Sequence, residues 1–416
     1  MGRNLLLMTY CFPPANIIGS VRPYQFAKYF QQLGWNVYVI SCADKSIPDS
    51  YNVDMSGMNL IRIDAPWLVS WTNSIPERKD SFSGKICSVL IRGVKFLIRT
   101  AIFPEHFQLL KKPFIDEAIK LTKICQFDLL ISSALPFTIH CAAQKVATSQ
   151  SLPWVADNRD LWASSPYRKG LGFRRWIDQR YEKFILGDAR LILGVTEHMV
   201  DHYRIKLGFQ NSLLIMNGYT PQIENDNAAQ IDESGAQERI TKLDIVYGGI
   251  LYGTLRDPTP LFEAISKDDY LKDNVKVRFF GSEQEQISAH AAAFGGCAIE
   301  CHERVSKKNI ADVYRGASLL LVILGGRIFE DGVMTGKFFE YLSFGKPILA
   351  IASESSELAQ VINRYDLGLA SNNPVVIRMY LNSLLNGSSP RVISPPIELS
   401  IDHQLSHLYA AVETIV

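Results

Sequence analysis

Short runs of uninterrupted apolar residues alternate with stretches of helical period along most of the chain. Leu5 to Thr9, Val37 to Ser41, Leu129 to Ser132, Trp154 to Asp157, Leu191 to Val195 and Leu213 to Met216 are such runs. A strand apolar on both sides belongs in a parallel sheet covered by helices, so the first half is predicted to build one parallel sheet. It opens as a strand, a loop from Phe12 to Gly19, a helix over Val21 to Leu33 stopped by Gly34, and a second strand. That order is a βαβ unit.

From Thr220 to Lys242 the apolar period disappears into Asn, Asp, Gln, Glu and Ser, which marks a linker or an exposed insertion. Alternation then resumes with Ile245 to Tyr247, a helix over Thr259 to Ile265, Val275 to Phe280, a helix over Ile310 to Arg315, Leu319 to Ile323, Ile348 to Ile351 and a helix from Ser355. A second sheet of the same kind accounts for these. The expected organisation is a first domain over 1–219, a polar linker over 220–242, a second domain over 243–400 and a terminal helix within 401–416. No internal period of the solenoid or propeller kind is present.

Composition narrows the class. A chain of 416 residues suits two domains, and 43 basic against 42 acidic residues argue against a globally electrostatic nucleic-acid binder. The seven cysteines are odd in number and lack paired spacing, which fits reduced thiols in a cytosolic protein. Cys297, Cys301 and His302 have no second ligand pair, so no metal site is expected. Thr9, Tyr10 and the Pro13-Pro14 pair interrupt the N-terminal apolar run before a signal-peptide core forms. Leu6 stands where a myristoylation signal needs Ser or Thr, and no long uncharged apolar run suggests a membrane span. The expected location is cytoplasmic; contact with a membrane turns on the stripe over 85–102.

Candidate chemistry concentrates in the segment 335–349. Thr335 and Gly336 begin a predicted helix whose dipole favours an anion, and Lys337 adds a full positive charge in its first turn. Glu340 follows at i+3 on nearly the same face, where a carboxylate accepts hydrogen bonds from ribose hydroxyls. Gly345 and Pro347 then stop the helix before an apolar strand. An isolated pair at this spacing is more often an ordinary surface Lys–Glu pair. The loop Gly248 to Gly253 follows a strand and precedes a helix, so its amides are expected to face phosphate oxygens, with Arg256 nearby. Gly19 offers a similar backbone approach after the first strand, or only a turn. There is no Gly-x-Gly-x-x-Gly, which disfavours a dehydrogenase.

The lysine, the step to glutamate, the tyrosine and the Gly-Lys-Pro that follows resemble the donor-binding motif of retaining glycosyltransferase family four, the group 1 glycosyl transferases. The resemblance implies an α/β chain of the GT-B fold, two Rossmann-like domains facing across a cleft, with a C-terminal helix crossing back to the first domain. The Pro-Pro, Gly19 and Arg22 loop is similar to the family's first-strand loop. The charged groups of Asp157, Arg159 and Asp160 at a strand end read either as an ion-pair corner that shapes the loop or as a ligand-facing wall, and His140 either as a donor in that wall or as a helix-packing residue. The segment Asp157, Arg159, Asp160, Trp162 resembles an Asp-x-Arg-Asp-x-Trp pattern in a branch that builds bacterial surface polysaccharides, which assigns it to the wall that meets sugar or acceptor. Many members carry two glutamates with seven residues between them; here the second is Glu340, and Gly332 stands at the first, with Asp331 and Glu330 beside it.

The activity so implied is transfer of a sugar, with retention, from a nucleotide-diphosphate donor to a lipid-linked glycan in polysaccharide or lipopolysaccharide synthesis. Arg256 and Lys337 would stabilise the leaving diphosphate, Gly19, Gly249, Gly253, Thr335, Gly336 and Glu340 would bind the donor, and no cofactor or metal is called for. Alternatives are a non-catalytic nucleotide- or glycan-binding subunit of an assembly complex, or a sugar-nucleotide epimerase. Residues 85–102 add a partner surface: Lys85, Arg92, Lys95 and Arg99 interrupt an apolar helix without acidic residues. That stripe reads either as a helix lying on an anionic membrane or as a core helix with its charged edge in water.

Overall fold

The computed structural model describes residues 2–73, 82–165, 172–220, 242–251, 255–282, 284–324, 331–387 and 392–416, with the side chains of 82–89, 100, 307 and 308 excepted. The chain divides into two compact units, one of residues 1–215 with 405–416 and one of 216–404. The division falls at Ile215, ahead of the polar linker, because Tyr219 exchanges backbone hydrogen bonds with Leu399 and Ile401 of the second unit.

The first unit runs β1 (Asn4–Thr9), α1 (Val21–Gln32), β2 (Asn36–Ala43), β3 (Asn59–Asp64), α2 (Trp67–Asn73), α3 (Phe82–Ala101) and α4 (Lys111–Thr122). It continues through β4 (Leu129–Ser133), α5 (Thr138–Gln150), β5 (Trp154–Asp157), α6 (Gly172–Leu186), β6 (Leu191–Gly194), α7 (Glu197–Asp201) and β7 (Ser212–Leu214). The strands pair in parallel in the order β3-β2-β1-β4-β5-β6-β7. Leu5, Leu6, Leu7 and Met8 are fully buried, as a central strand with helices on both faces requires. The sheet grows outward in both directions from β1 and β4, so its topological switch point lies between them.

In the second unit the order is β8 (Leu243–Gly248), α8 (Thr259–Ser266), α9 (Asp269–Asn274), β9 (Val275–Phe280), α10 (Gln284–Ala293), β10 (Ala298–His302) and α11 (Lys307–Gly316). Next come β11 (Leu319–Ile323), α12 (Gly336–Leu342), β12 (Ile348–Ile351), α13 (Glu357–Arg364), β13 (Gly368–Ala370) and α14 (Pro374–Leu385). Its parallel sheet reads β10-β9-β8-β11-β12-β13, with the switch point between β8 and β11. The terminal helix α15 (Ile401–Val412) belongs to the first unit from Leu405 onward. There Tyr409 packs edge-on against Phe30 at 5.7 Å and Glu413 pairs with Arg3.

Three strands were not anticipated: β3, β10 and β13. β3 and β10 alternate partly buried with exposed residues, and β13 is only three residues long. Each is an edge of its sheet, where one flank meets solvent and the continuous apolar run that signals an inner strand is lost. Among the described residues no helix is long and apolar enough to cross a membrane.

Candidate functional site

The switch point of the second unit is bounded by the loop after β8 and by the segment leading from β11 into α12. Both contain residues singled out by sequence. At α12, Thr335 is the N-cap, and its Oγ1 accepts the Lys337 amide at 3.0 Å. Phe338, Phe339, Tyr341 and Leu342 bury the opposite face of α12 in the core. The Lys337 side chain then runs back over Gly249. A Cβ on that glycine would stand 2.6 Å from Lys337 Cε, so any larger residue here would displace the lysine stem.

The floor beneath this contact is fixed by aromatic hydroxyls. Gly248 donates its amide to Tyr341 Oη at 3.0 Å, and Tyr341 packs edge-on against Tyr314 with centroids 5.0 Å apart. A Cβ at Gly248 would collide with Tyr314 Oη. Gly249 donates its own amide to the Phe280 carbonyl at 2.9 Å, and Ser282 Oγ donates to the Gly249 carbonyl at 2.6 Å. This corrects the expectation that the glycine-loop amides face a phosphate: those of Gly248 and Gly249 are spent on Tyr341 and on β9. The glycines instead make space for the Tyr314 hydroxyl and the Lys337 stem.

That charge is concentrated. Burial pushes the Lys337 ammonium below its ordinary value of 10.5; Glu340 opposes the shift, while the positive charges of Arg256 and Arg304 reinforce it. Arg256 Nη1 donates to Tyr247 Oη at 3.4 Å, and that hydroxyl donates to the Ile250 carbonyl at 3.1 Å. Arg304, which sequence reasoning missed, lies two residues beyond the unanticipated edge strand β10. Its Cβ lies 3.7 Å from the position a Cβ on Gly281 would take. Two guanidinium charges thus act on one ammonium, and Glu340 offsets them. An arriving polyanion would relieve their repulsion.

Gly253 and Glu330 lie outside the described residues. Asp331 is described: its carboxylate accepts from Ser355 Oγ at 2.7 Å and its carbonyl accepts the Glu357 amide at 2.7 Å, so it secures the start of α13.

In the first unit Gly19 and Arg159 are brought together across the switch point. Arg159 donates to the carbonyls of Gly19 at 2.8 Å, Ala134 and Leu135, binding the loops that follow β1 and β4. A Cβ on Gly19 would lie 3.1 Å from the guanidinium, so this glycine leaves room for the arginine. Asp157 is fully buried and paired with Arg22 at 2.8 Å, and its other oxygen accepts from Ser133 at 2.6 Å. It anchors the start of α1 to the end of β5. Trp162 is buried too, stacked on Phe137 at 4.7 Å. Of this segment, Asp160 is exposed.

His140, read from sequence either as a donor in a ligand-facing wall or as a helix-packing residue, is fully buried. Trp154 Nε1 donates to Ser132 Oγ at 2.7 Å, Ser132 Oγ lies 2.8 Å from His140 Nδ1, and His140 Nε2 lies 3.2 Å from Asn158 Oδ1. With both nitrogens engaged, the ring is a packing element. Burial lowers its pKa from 6.5 to about 4, and burial likewise lowers His106 to about 4. Both are neutral in the folded state above that value, whereas the unfolded chain takes up protons below 6.5. Stability is therefore expected to be full above pH 6.5 and to fall as the pH drops from 6.5 toward 4, His140 alone contributing on the order of 3 kcal/mol. Denaturant titrations at pH 7.5 and 5 check this; equal midpoints would contradict it.

The basic stripe of 85–102 is also reoriented. Lys95 is buried with its ammonium 5.0 Å from the Trp71 ring, and Arg99 donates to the Thr72 carbonyl at 2.6 Å. Two of its cations hold α3 on α2. The Lys85 side chain lies outside the described ones.

No protein-family model matches the sequence, and no curated protein does. Solved structures do match. A lipopolysaccharide outer core galactosyltransferase, WaaB, in its apo form, superposes with a TM-score of 0.60 at 10% identity over 99% of this chain and 100% of that one. The catalytic domain of starch synthase IV from Arabidopsis thaliana, bound to ADP and acarbose, gives 0.61 at 10% identity over 100% and 99%. A UDP-N-acetylglucosamine 2-epimerase gives 0.52 at 11% identity over 98% and 95%. Two Rossmann-like units matched end to end in this way define the GT-B fold, as the sequence led us to expect.

Proposed function

We infer that the protein is a glycosyltransferase that takes a sugar from a nucleotide-diphosphate donor. The observation that carries this is the Lys337 stem lying on Gly249 at the switch point of the second unit, with the charges of Arg256 and Arg304 acting on the same ammonium. Open α/β sheets bind ligands beyond the carboxyl ends of their strands at such a point. Cleaving the sugar–phosphate bond puts negative charge on the departing diphosphate, and Lys337 with Arg256 would stabilise it. Glu340, one turn along α12, would accept from the ribose hydroxyls, and Thr335, Gly336 and Gly249 would shape the same pocket. In a same-face, retaining transfer the leaving phosphate itself takes the acceptor proton, so no separate base is required.

The galactosyltransferase neighbour favours a glycan acceptor of the lipopolysaccharide kind, lipid-linked in this reading, with Asp160 on the acceptor side. Asp157, Arg159, Trp162 and His140 then position that wall from behind. Nucleoside diphosphates are expected to raise the melting temperature, because a ligand that binds only the native state stabilises it. A melting temperature unmoved by uridine, adenosine, guanosine and thymidine diphosphates at millimolar concentration would remove the reading.

The epimerase neighbour supports a second reading in which the donor alone is altered. Product analysis without acceptor separates the two: an epimerase interconverts the nucleotide sugar, and a transferase leaves it intact.

A further inference from the structure

The outward faces of α3 and α6 carry large apolar side chains that no part of the donor reading uses. On α3, Leu90, Val94 and Leu97 follow one another at i, i+4 and i+7 and are 65%, 48% and 65% exposed. On α6, Phe173, Trp176 and Phe184 lie along one stripe at 72%, 50% and 66% exposure. Aromatic order is built into that stripe: Phe173 and Trp176 stack at 6.1 Å, and Arg180 sits 4.4 Å over the Trp176 ring.

The two helices are joined. Phe103, just beyond α3, packs edge-on against Tyr181 at 5.0 Å, and Arg174 lies 5.0 Å over the Phe103 ring while donating to the Pro104 carbonyl at 3.1 Å. Arg174 and Tyr181 occupy the flank of α6 next to its exposed stripe, so the apolar surface passes from one helix to the other.

Charge on α6 is segregated by sign. Its two acidic residues point inward: Asp178 is buried beside Arg174 at 3.3 Å, and Glu182 is buried and accepts the Ala163 amide at 3.1 Å. The exposed positions carry Arg175, Arg180 and Lys183, and on α3 Arg92 is exposed. Aromatic and aliphatic side chains interleaved with cations and free of outward acids match the interface of an anionic bilayer, where rings settle at headgroup depth and cations meet phosphate. A second copy of this chain fits poorly, because a two-fold contact would set cation against cation.

We propose that α3 and α6 together form a docking surface for an anionic lipid bilayer, with the Phe173–Trp176 pair as its aromatic anchor. This surface is independent of the nucleotide site, and the two readings fail separately. The test is co-sedimentation of the full chain with vesicles of phosphatidylcholine and phosphatidylglycerol in equal parts, and with vesicles of phosphatidylcholine alone. Two double variants are compared, Phe173→Ala with Trp176→Ala, and Leu90→Ser with Leu97→Ser. Their melting temperatures and nucleoside diphosphate affinities serve as folding and donor-site controls.

The wild-type chain is expected to bind the anionic vesicles, to bind less in high salt, and to leave the neutral ones largely unbound. Each double variant is expected to lose vesicle affinity by roughly tenfold or more, with the controls unchanged. Wild-type binding by the α6 variant alone would overturn the aromatic anchor. Equal binding to neutral vesicles, no binding to either, or a change of oligomeric state in place of vesicle binding would overturn the lipid surface as a whole.

Discussion

Lys337→Ala is expected to lower turnover by roughly 10²–10³-fold with melting temperature close to wild type, because it removes a preorganised charge from the leaving diphosphate. The ammonium is partly buried and held among cations, so water substitutes for it poorly. Gly249→Ala should act in the same direction without touching a charge. Its new Cβ would stand 2.6 Å from Lys337 Cε and push the stem aside, and a shift of that size costs roughly 10–100-fold. Steady-state kinetics with the nucleotide sugar that gives the largest thermal shift checks both. If Gly249→Ala is fully active, the lysine does not work from the position described. Because Lys337 titrates below 10.5, nucleotide affinity should also fall on the alkaline side before an ordinary lysine would deprotonate.

The largest effect on stability is expected at the Arg22–Asp157 pair. Both groups are almost wholly buried, at 3% and 0% exposure, so removing one takes the charge 2.8 Å away from the other in the core. Arg22→Ala or Asp157→Ala should each destabilise the protein by about 3–5 kcal/mol, and the double replacement Arg22→Met with Asp157→Leu by less than the two singles summed. Calorimetric melting measures this; single variants that melt within a degree of wild type would contradict it. Asp157 thus holds the wall behind the first unit's switch point.

What sequence conveyed well was the pair of parallel sheets, because inner strands such as Leu5 to Thr9 and Leu319 to Ile323 are apolar on both faces and leave an uninterrupted mark. Edge strands leave a weaker one. Arg62 on β3 and Glu300 on β10 break the apolar run while facing solvent, and missing β10 also hid Arg304. Motif spacing located Lys337 and Glu340 on one face of a short helix. It could not reveal that the Gly248 and Gly249 amides are occupied, since Tyr341 and Phe280 reach them from positions 93 and 31 residues away.

Burial was the other hidden quantity. Asp157, Trp162 and His140 are the residue types found at polar ligand sites, yet each is enclosed inside the first unit, Asp157 by Arg22 and Ser133, His140 by Ser132 and Asn158, and Trp162 against Phe137. On α3 the sequence holds both a basic and an apolar stripe, and only the packing of Lys95 on Trp71 decides which one turns outward.

Calorimetric titration of nucleoside diphosphates into the wild-type chain and into Lys337→Ala tests the cationic corner most directly. The expected result is a saturable wild-type isotherm for at least one base and an affinity lowered at least tenfold in the variant, a change of roughly 1.4 kcal/mol. Equal affinity in the two proteins would place the nucleotide elsewhere.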